Sequence, residues 1–90
     1  MSEHPTTDQI AEVQKLTLQW VSELLDEPDV KPEDNFIDLG GHSILAVRLS
    51  REAKEQFGAE FDLMVLFEKD LASASTELAS RVFRPGQEGR

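Results

Sequence analysis

A hydroxyl, an imidazole and two glycines meet in the stretch NFIDLGGHSILAVRL, residues 35–49. A serine beside a histidine invites comparison with a nucleophile and its base. A hydrolase elbow needs Gly-x-Ser-x-Gly on a strand-to-helix turn, with base and acid brought in from elsewhere. Here Leu45 stands where the second glycine would be, no parallel sheet is predicted upstream, and His42 is badly placed to take a proton from its own sequence neighbour, Ser43. His4 is the only other histidine. Two histidines and no cysteine make a poor transition-metal site. The acidic segment DEPDVKPEDNFIDLGGH, residues 26–42, lacks the Asp-x-Asp-x-Asp-Gly order of a calcium loop. Neither a catalytic residue nor a metal ligand is expected.

Ser43 suits a different chemistry. A helix N-terminus presents free N–H groups and a partial positive charge, which favour a phosphate. Gly40 and Gly41, read as flexible, would expose the backbone and let an enzyme approach. A phosphodiester on the Ser43 hydroxyl would then sit in a favourable field. Serine is also a good N-cap, so local physics leaves both open: a cap, or a residue that carries a phosphate.

The elements that must hold this serine can be read on either side of it. Thr6 and Gln9 have capping-box spacing, which predicts a first helix from Thr6 or Thr7. Ile10, Val13, Leu16, Trp20, Leu24 and Leu25 recur at three- and four-residue steps as its buried stripe, and Pro28 ends the pattern. The long connection 26–42 is expected to be ordered, pinned by Val30, Phe36, Ile37 and Leu39. A second helix should open at Ser43 as N-cap type, bury Leu45, Leu49, Ala53 and Phe57, and stop at Gly58. Arg48 with Glu52, and Arg51 with Glu55, have the spacing of helical ion pairs. EFDLMVLFE, residues 60–68, alternates like a strand but has no partner strand, so a short helix is predicted. A final helix from about Leu71 should turn Ala74, Leu78 and Val82 inward. The fold class is all-α: three main helices and a short one in a small four-helix bundle, spanning residues 7–83. Residues 1–6 read as a disordered leader and 84–90 as a disordered tail.

Nine basic residues against eighteen acidic ones give 90 residues a net charge of −9. That field repels phosphate backbones and anionic membranes, so neither nucleic acid nor membrane is an expected partner. It serves solubility, or a basic protein partner. No apolar run is long enough to span a bilayer, and the N-terminus lacks the basic and apolar regions of a signal peptide. A cytoplasmic, monomeric protein is expected.

The string DNFIDLGGHSILAVRL, residues 34–49, closely resembles the core motif of peptidyl carrier proteins, the thiolation domains of nonribosomal peptide synthesis. The resemblance implies that Ser43 receives a 4′-phosphopantetheine arm from coenzyme A, and that the arm's thiol carries an aminoacyl or peptidyl thioester. Asp38, Leu39, Gly40, Gly41 and His42 then form the motif around the attachment residue, with Asp34 and Phe36 in its lead-in. It also implies a four-helix bundle and a set of partners: a phosphopantetheinyl transferase, an adenylation enzyme or domain, and condensation or tailoring enzymes. Ile37 stands where a second Phe is common, Ile44 where Leu is more usual, and FEKDLAS (67–73) where the family often has Phe-Glu-x-Pro-Thr.

Val47 is four residues beyond Ser43 and shares its face. With Ile44, Arg48 and Met64 it is the expected partner-docking surface, against the plainer reading that these side chains fill the core. Fatty-acid acyl carrier proteins typically have Asp before the serine and an acidic second helix. Here His42 precedes Ser43, and residues 43–57 carry three cations against two carboxylates, a net +1. That favours the peptidyl reading over a fatty-acid one. A polyketide, aryl or other acyl carrier with the same arm is the first alternative, and an unmodified helical interaction module the second. Met1 and the polar ends fit a discrete carrier, although a domain excised from a large synthetase would look the same.

Overall fold

Four helices follow one another in the chain: α1 (Thr7–Leu25), α2 (Ser43–Phe57), α3 (Leu63–Glu68) and α4 (Leu71–Val82). The structure, a computed structural model, describes residues 5–83. No strand occurs among the described residues. The helical bundle read from the sequence is the observed fold, and the ambiguous 60–68 segment contains the short helix. Except for Pro5 and Thr6, the expected leader and tail lie outside the described residues.

Three of the helices start where a side chain can satisfy their unpaired N–H groups. Thr6 caps α1 in a complete capping box: its Oγ1 accepts from the Gln9 amide at 3.0 Å, and the Gln9 side chain accepts from the Thr6 amide at 2.8 Å. Asp62 caps α3 through Met64 and Val65, and Asp70 caps α4 through Ser73. Helix α1 ends on Asp26 in a left-handed conformation, two residues before Pro28, and α2 ends on Gly58 at φ 82°.

Helix α1 packs on α4 and α2, and α3 packs on α4. Buried between them are Val13 and Val21 of α1, Ala46, Leu49 and Ala53 of α2, Leu66 of α3, and Leu71, Leu78 and Ala79 of α4. Trp20 meets Phe57 edge to face at a centroid distance of 6.0 Å, which ties α1 to the end of α2. The buried ridge of α1 differs in phase from the expected stripe. Its fully buried residues are Val13, Thr17 and Val21, at steps of four, while Leu16 is only half-buried. Thr17 was hidden from an apolar pattern because it is polar. On α2, Leu45 and Phe57 pack on the margin of the core and Ala46 joins its centre.

Candidate functional site

The long connection between α1 and α2 is ordered because it closes the ends of α3 and α4. The carbonyl of Pro32 accepts the Ala72 amide and that of Asp34 the Leu71 amide, each at 2.8 Å, so two orphan N–H groups of α4 are satisfied. Asn35 donates through Nδ2 to the carbonyls of Phe67 at 3.1 Å and Lys69 at 2.8 Å, where α3 runs out. Its Oδ1 accepts the Asp38 amide at 3.0 Å. The ring of Phe36 is fully buried, and Val30 and Leu39 pack, partly buried, against the core. Ile37 does not pin the loop as expected; it is 43% exposed.

The turn that delivers the chain to Ser43 is a Schellman closure. The Gly41 amide donates to the Phe36 carbonyl at 2.9 Å and the Gly40 amide to the Ile37 carbonyl at 3.0 Å. Gly40 takes the left-handed position at φ 105°, with open space around it. Gly41 is buried, and a Cβ there would collide with the Phe36 ring, coming 2.7 Å from its Cζ. The two glycines therefore have different duties. Gly40 supplies a backbone conformation that side chains resist, and Gly41 lets the turn close onto Phe36. The expectation that both lie open to an approaching enzyme holds for Gly40 alone.

Ser43 is not the cap of α2. His42 occupies the N-cap with extended backbone (φ −151°, ψ −177°) and makes no side-chain capping bond. Ser43 is the first helical residue. It is exposed, and no hydrogen bond engages its hydroxyl among the described residues. The first backbone bond of the helix is from the Ala46 amide to the His42 carbonyl, at 2.8 Å, which leaves the amides of Ser43, Ile44 and Leu45 without intrahelical partners. No acidic residue lies in this first turn. The arrangement can receive an anion on the serine oxygen: an accessible hydroxyl, free N–H groups beneath it and no carboxylate in the first turn of the helix.

Exposed apolar side chains follow Ser43 on α2, Ile44 at 69% and Val47 at 50%, and Met64 on α3 is exposed too, at 64%. The core reading of these residues is excluded by that exposure. Leu63, 39% exposed and not singled out in the sequence, lines a groove together with Val47. Arg48 is exposed but borders a different groove, with Trp20 and Glu23 between α1 and α2. Neither Arg48–Glu52 nor Arg51–Glu55 is among the ion pairs of the described residues, which are Lys31–Asp29, Arg81–Asp62 and Arg81–Glu77. Exposed long side chains gain too little from such pairing to hold one geometry. No group of three or more metal-ligating side chains occurs among the described residues, and no described helix is long and apolar enough to cross a membrane.

Comparison with known proteins bears on this site. A family described as "Phosphopantetheine attachment site" matches residues 15–73, which include the turn, Ser43 and all of α2 and α3. The polyketide synthase PksN of Bacillus subtilis is 36% identical over 73 residues, 81% of this chain and 1% of that protein. A dimodular nonribosomal peptide synthase of the same organism is 42% identical over 55 residues, 61% of this chain and 2% of that protein. The nonribosomal peptide synthetase CymA of Salinispora arenicola, described as probable and non-canonical, is 41% identical over 69 residues, 77% of this chain and 1% of that protein. The chain thus spans only a few per cent of the length of these relatives. No solved structure matches it.

Proposed function

The chain belongs to the family of phosphopantetheine attachment domains, and from that premise we propose that it is a peptidyl carrier protein with Ser43 as its attachment residue. One observation carries the assignment to Ser43: an exposed, unengaged hydroxyl at the first position of a helix whose N-terminus has no side-chain cap and no acidic residue. Attachment forms a phosphodiester at Ser43 Oγ, releases 3′,5′-ADP from coenzyme A and passes the hydroxyl proton to a base of the transferase. The arm supplies a thiol on which an aminoacyl or peptidyl group rides as a thioester.

The chain's own residues hold and present that attachment point. The free amides of Ser43, Ile44 and Leu45 favour the phosphate charge. The Schellman turn, closed on Phe36 and tied through Asn35 to the α3–α4 junction, fixes where Ser43 stands. Ile44, Val47 and Met64 offer an apolar surface on which partner enzymes dock. The protein performs no reaction itself. It raises the effective concentration of its cargo at successive enzymes, a transferase, an adenylating enzyme and condensing or tailoring enzymes. Its place of work is the cytoplasm.

The peptidyl assignment rests on His42 before the serine, on the nearly neutral α2 and on the peptide synthetases among the similar proteins. Its test is loading. The phosphopantetheinylated protein should be charged with an amino acid by a cognate adenylating enzyme, giving a hydroxylamine-sensitive thioester. Loading only by malonyl or fatty-acyl transferases would replace this reading with a polyketide or fatty-acid one.

A further inference from the structure

Along α2, on the side of Ser43, runs a groove of about 350 Å³. Ligand sites for small molecules commonly span about 300–1,000 Å³, so this one is large enough for an amino-acid side chain and the end of a tether. Val47, Phe61 and Leu63 give it an apolar part; Ser50, Arg51, Lys54 and Glu60 give it a polar part. With about 100° per residue, Val47, Ser50, Arg51 and Lys54 all fall within a quarter-turn of the Ser43 direction. At a rise of about 1.5 Å per residue, Ser50 lies about 10 Å and Lys54 about 16 Å along the axis from Ser43. An extended phosphopantetheine arm is long enough for that span.

The charge of this groove runs against that of the molecule. The chain as a whole is at −9, yet the lining has two cations, Arg51 and Lys54, and one carboxylate, Glu60. Neither cation has an ion-pair partner among the described residues. Ser50 adds an independent observation. Its residue is only 8% exposed, and its Oγ is buried without a hydrogen-bond partner. A buried hydroxyl left unpaired is unfavourable, and an acceptor arriving in the groove would relieve it.

We propose that this groove is a resting site for an amino acid with a side-chain carboxylate, carried on the arm at Ser43. The carboxylate meets Arg51 and Lys54, with Ser50 as an additional donor. The arm and the side-chain methylenes lie against Val47 and Leu63. Glu60 suits the α-ammonium of an amino acid joined to the arm through its α-carboxyl. This site depends on the attachment at Ser43 and goes beyond it by naming the class of cargo.

The test uses hydrolysis-stable amide analogues of coenzyme A bearing glutamyl or the isosteric, neutral glutaminyl group. Each is loaded onto the full chain by a broad-specificity phosphopantetheinyl transferase, and amide chemical shifts are compared. The glutamyl form should shift Val47, Ser50, Arg51, Lys54 and Leu63, while the glutaminyl form leaves them near their positions with the bare arm. Labelled at its side-chain carboxyl, the glutamyl group should titrate at lower pH on the native chain than on an Arg51→Gln, Lys54→Gln double variant, because the cations favour the charged form. In that variant, and in part in Ser50→Ala, the glutamyl-specific shifts should be lost. Shifts confined to residues near Ser43, or identical for the two cargoes, would overturn the resting site while leaving the attachment intact. Failure of any analogue to load would instead strike the attachment itself.

Discussion

The buried ring of Phe36 occupies the space that a side chain on Gly41 would need. Six residues of loop thereby set the entry to α2. The ring anchors the turn in the core, the turn closes on itself through Gly40 and Gly41, and Ser43 emerges two residues later.

Alanine at either glycine should therefore be destabilising, for different reasons. Gly41→Ala overpacks against Phe36 and should cost about 1–3 kcal/mol. Gly40→Ala has room but must hold a side chain at φ 105°, at a cost of about 1–2 kcal/mol. In a Phe36→Leu background the penalty of Gly41→Ala should shrink, because the two positions share one space, while that of Gly40→Ala should not. Urea midpoints of the six proteins check this; equal penalties in both backgrounds would separate Gly41 from Phe36.

Val47 and Leu49, two positions apart on α2, should fail in opposite ways. Leu49 is fully buried, so Leu49→Ala should lose about 2–5 kcal/mol. Val47 is half exposed, and Val47→Ala should move stability by no more than about 0.5 kcal/mol. The same Val47 change should slow phosphopantetheinylation or aminoacyl loading. A large stability loss with normal loading would remove Val47 from the docking surface.

Asp70 should make the start of α4 acid-sensitive. The Ser73 amide donates to its carboxylate at 2.8 Å, and this bond, followed by the Ser73 hydroxyl, holds its pKa below the ordinary 3.8. A carboxyl depressed in the folded state adds stability that is fully present above its unfolded pKa. That stability is lost as pH falls through the folded value. Asp70→Ala should cost about 1 kcal/mol near neutrality, and the gap to the native chain should narrow as pH drops below 3.8. Melting series of both proteins against pH measure it; a gap that widens in acid would contradict the sign.

The sequence displayed the helices because their signals are local. Apolar steps, the Thr6–Gln9 box and Gly58 each act within a turn or two of chain; the box and Gly58 appear where the spacing placed them, and the apolar steps located α1 although its buried ridge runs in another phase. Ser43 was legible as the start of α2 to within one residue, but that it is the first helical residue and His42 the N-cap was not, since which of the two turns helical first depends on how the preceding turn enters. That entry is set by Phe36 against Gly41 and by Asn35 reaching Phe67 and Lys69, contacts between segments far apart in sequence for which spacing gives no signal. Thr17 was missed because its polar side chain is absent from an apolar pattern. Ile37 misled for the converse reason, an apolar residue turned outward.

The carrier function depends on the hydroxyl of Ser43, and intact mass reads it directly. The chain is incubated with coenzyme A, magnesium and a broad-specificity phosphopantetheinyl transferase, in parallel with Ser43→Ala. Ser43 is exposed and is not the N-cap of α2, so the variant should keep its helical circular dichroism. The native chain should gain one phosphopantetheine and Ser43→Ala none. A native mass left unchanged by several such transferases, or a folded Ser43→Ala that is still modified, would contradict the account.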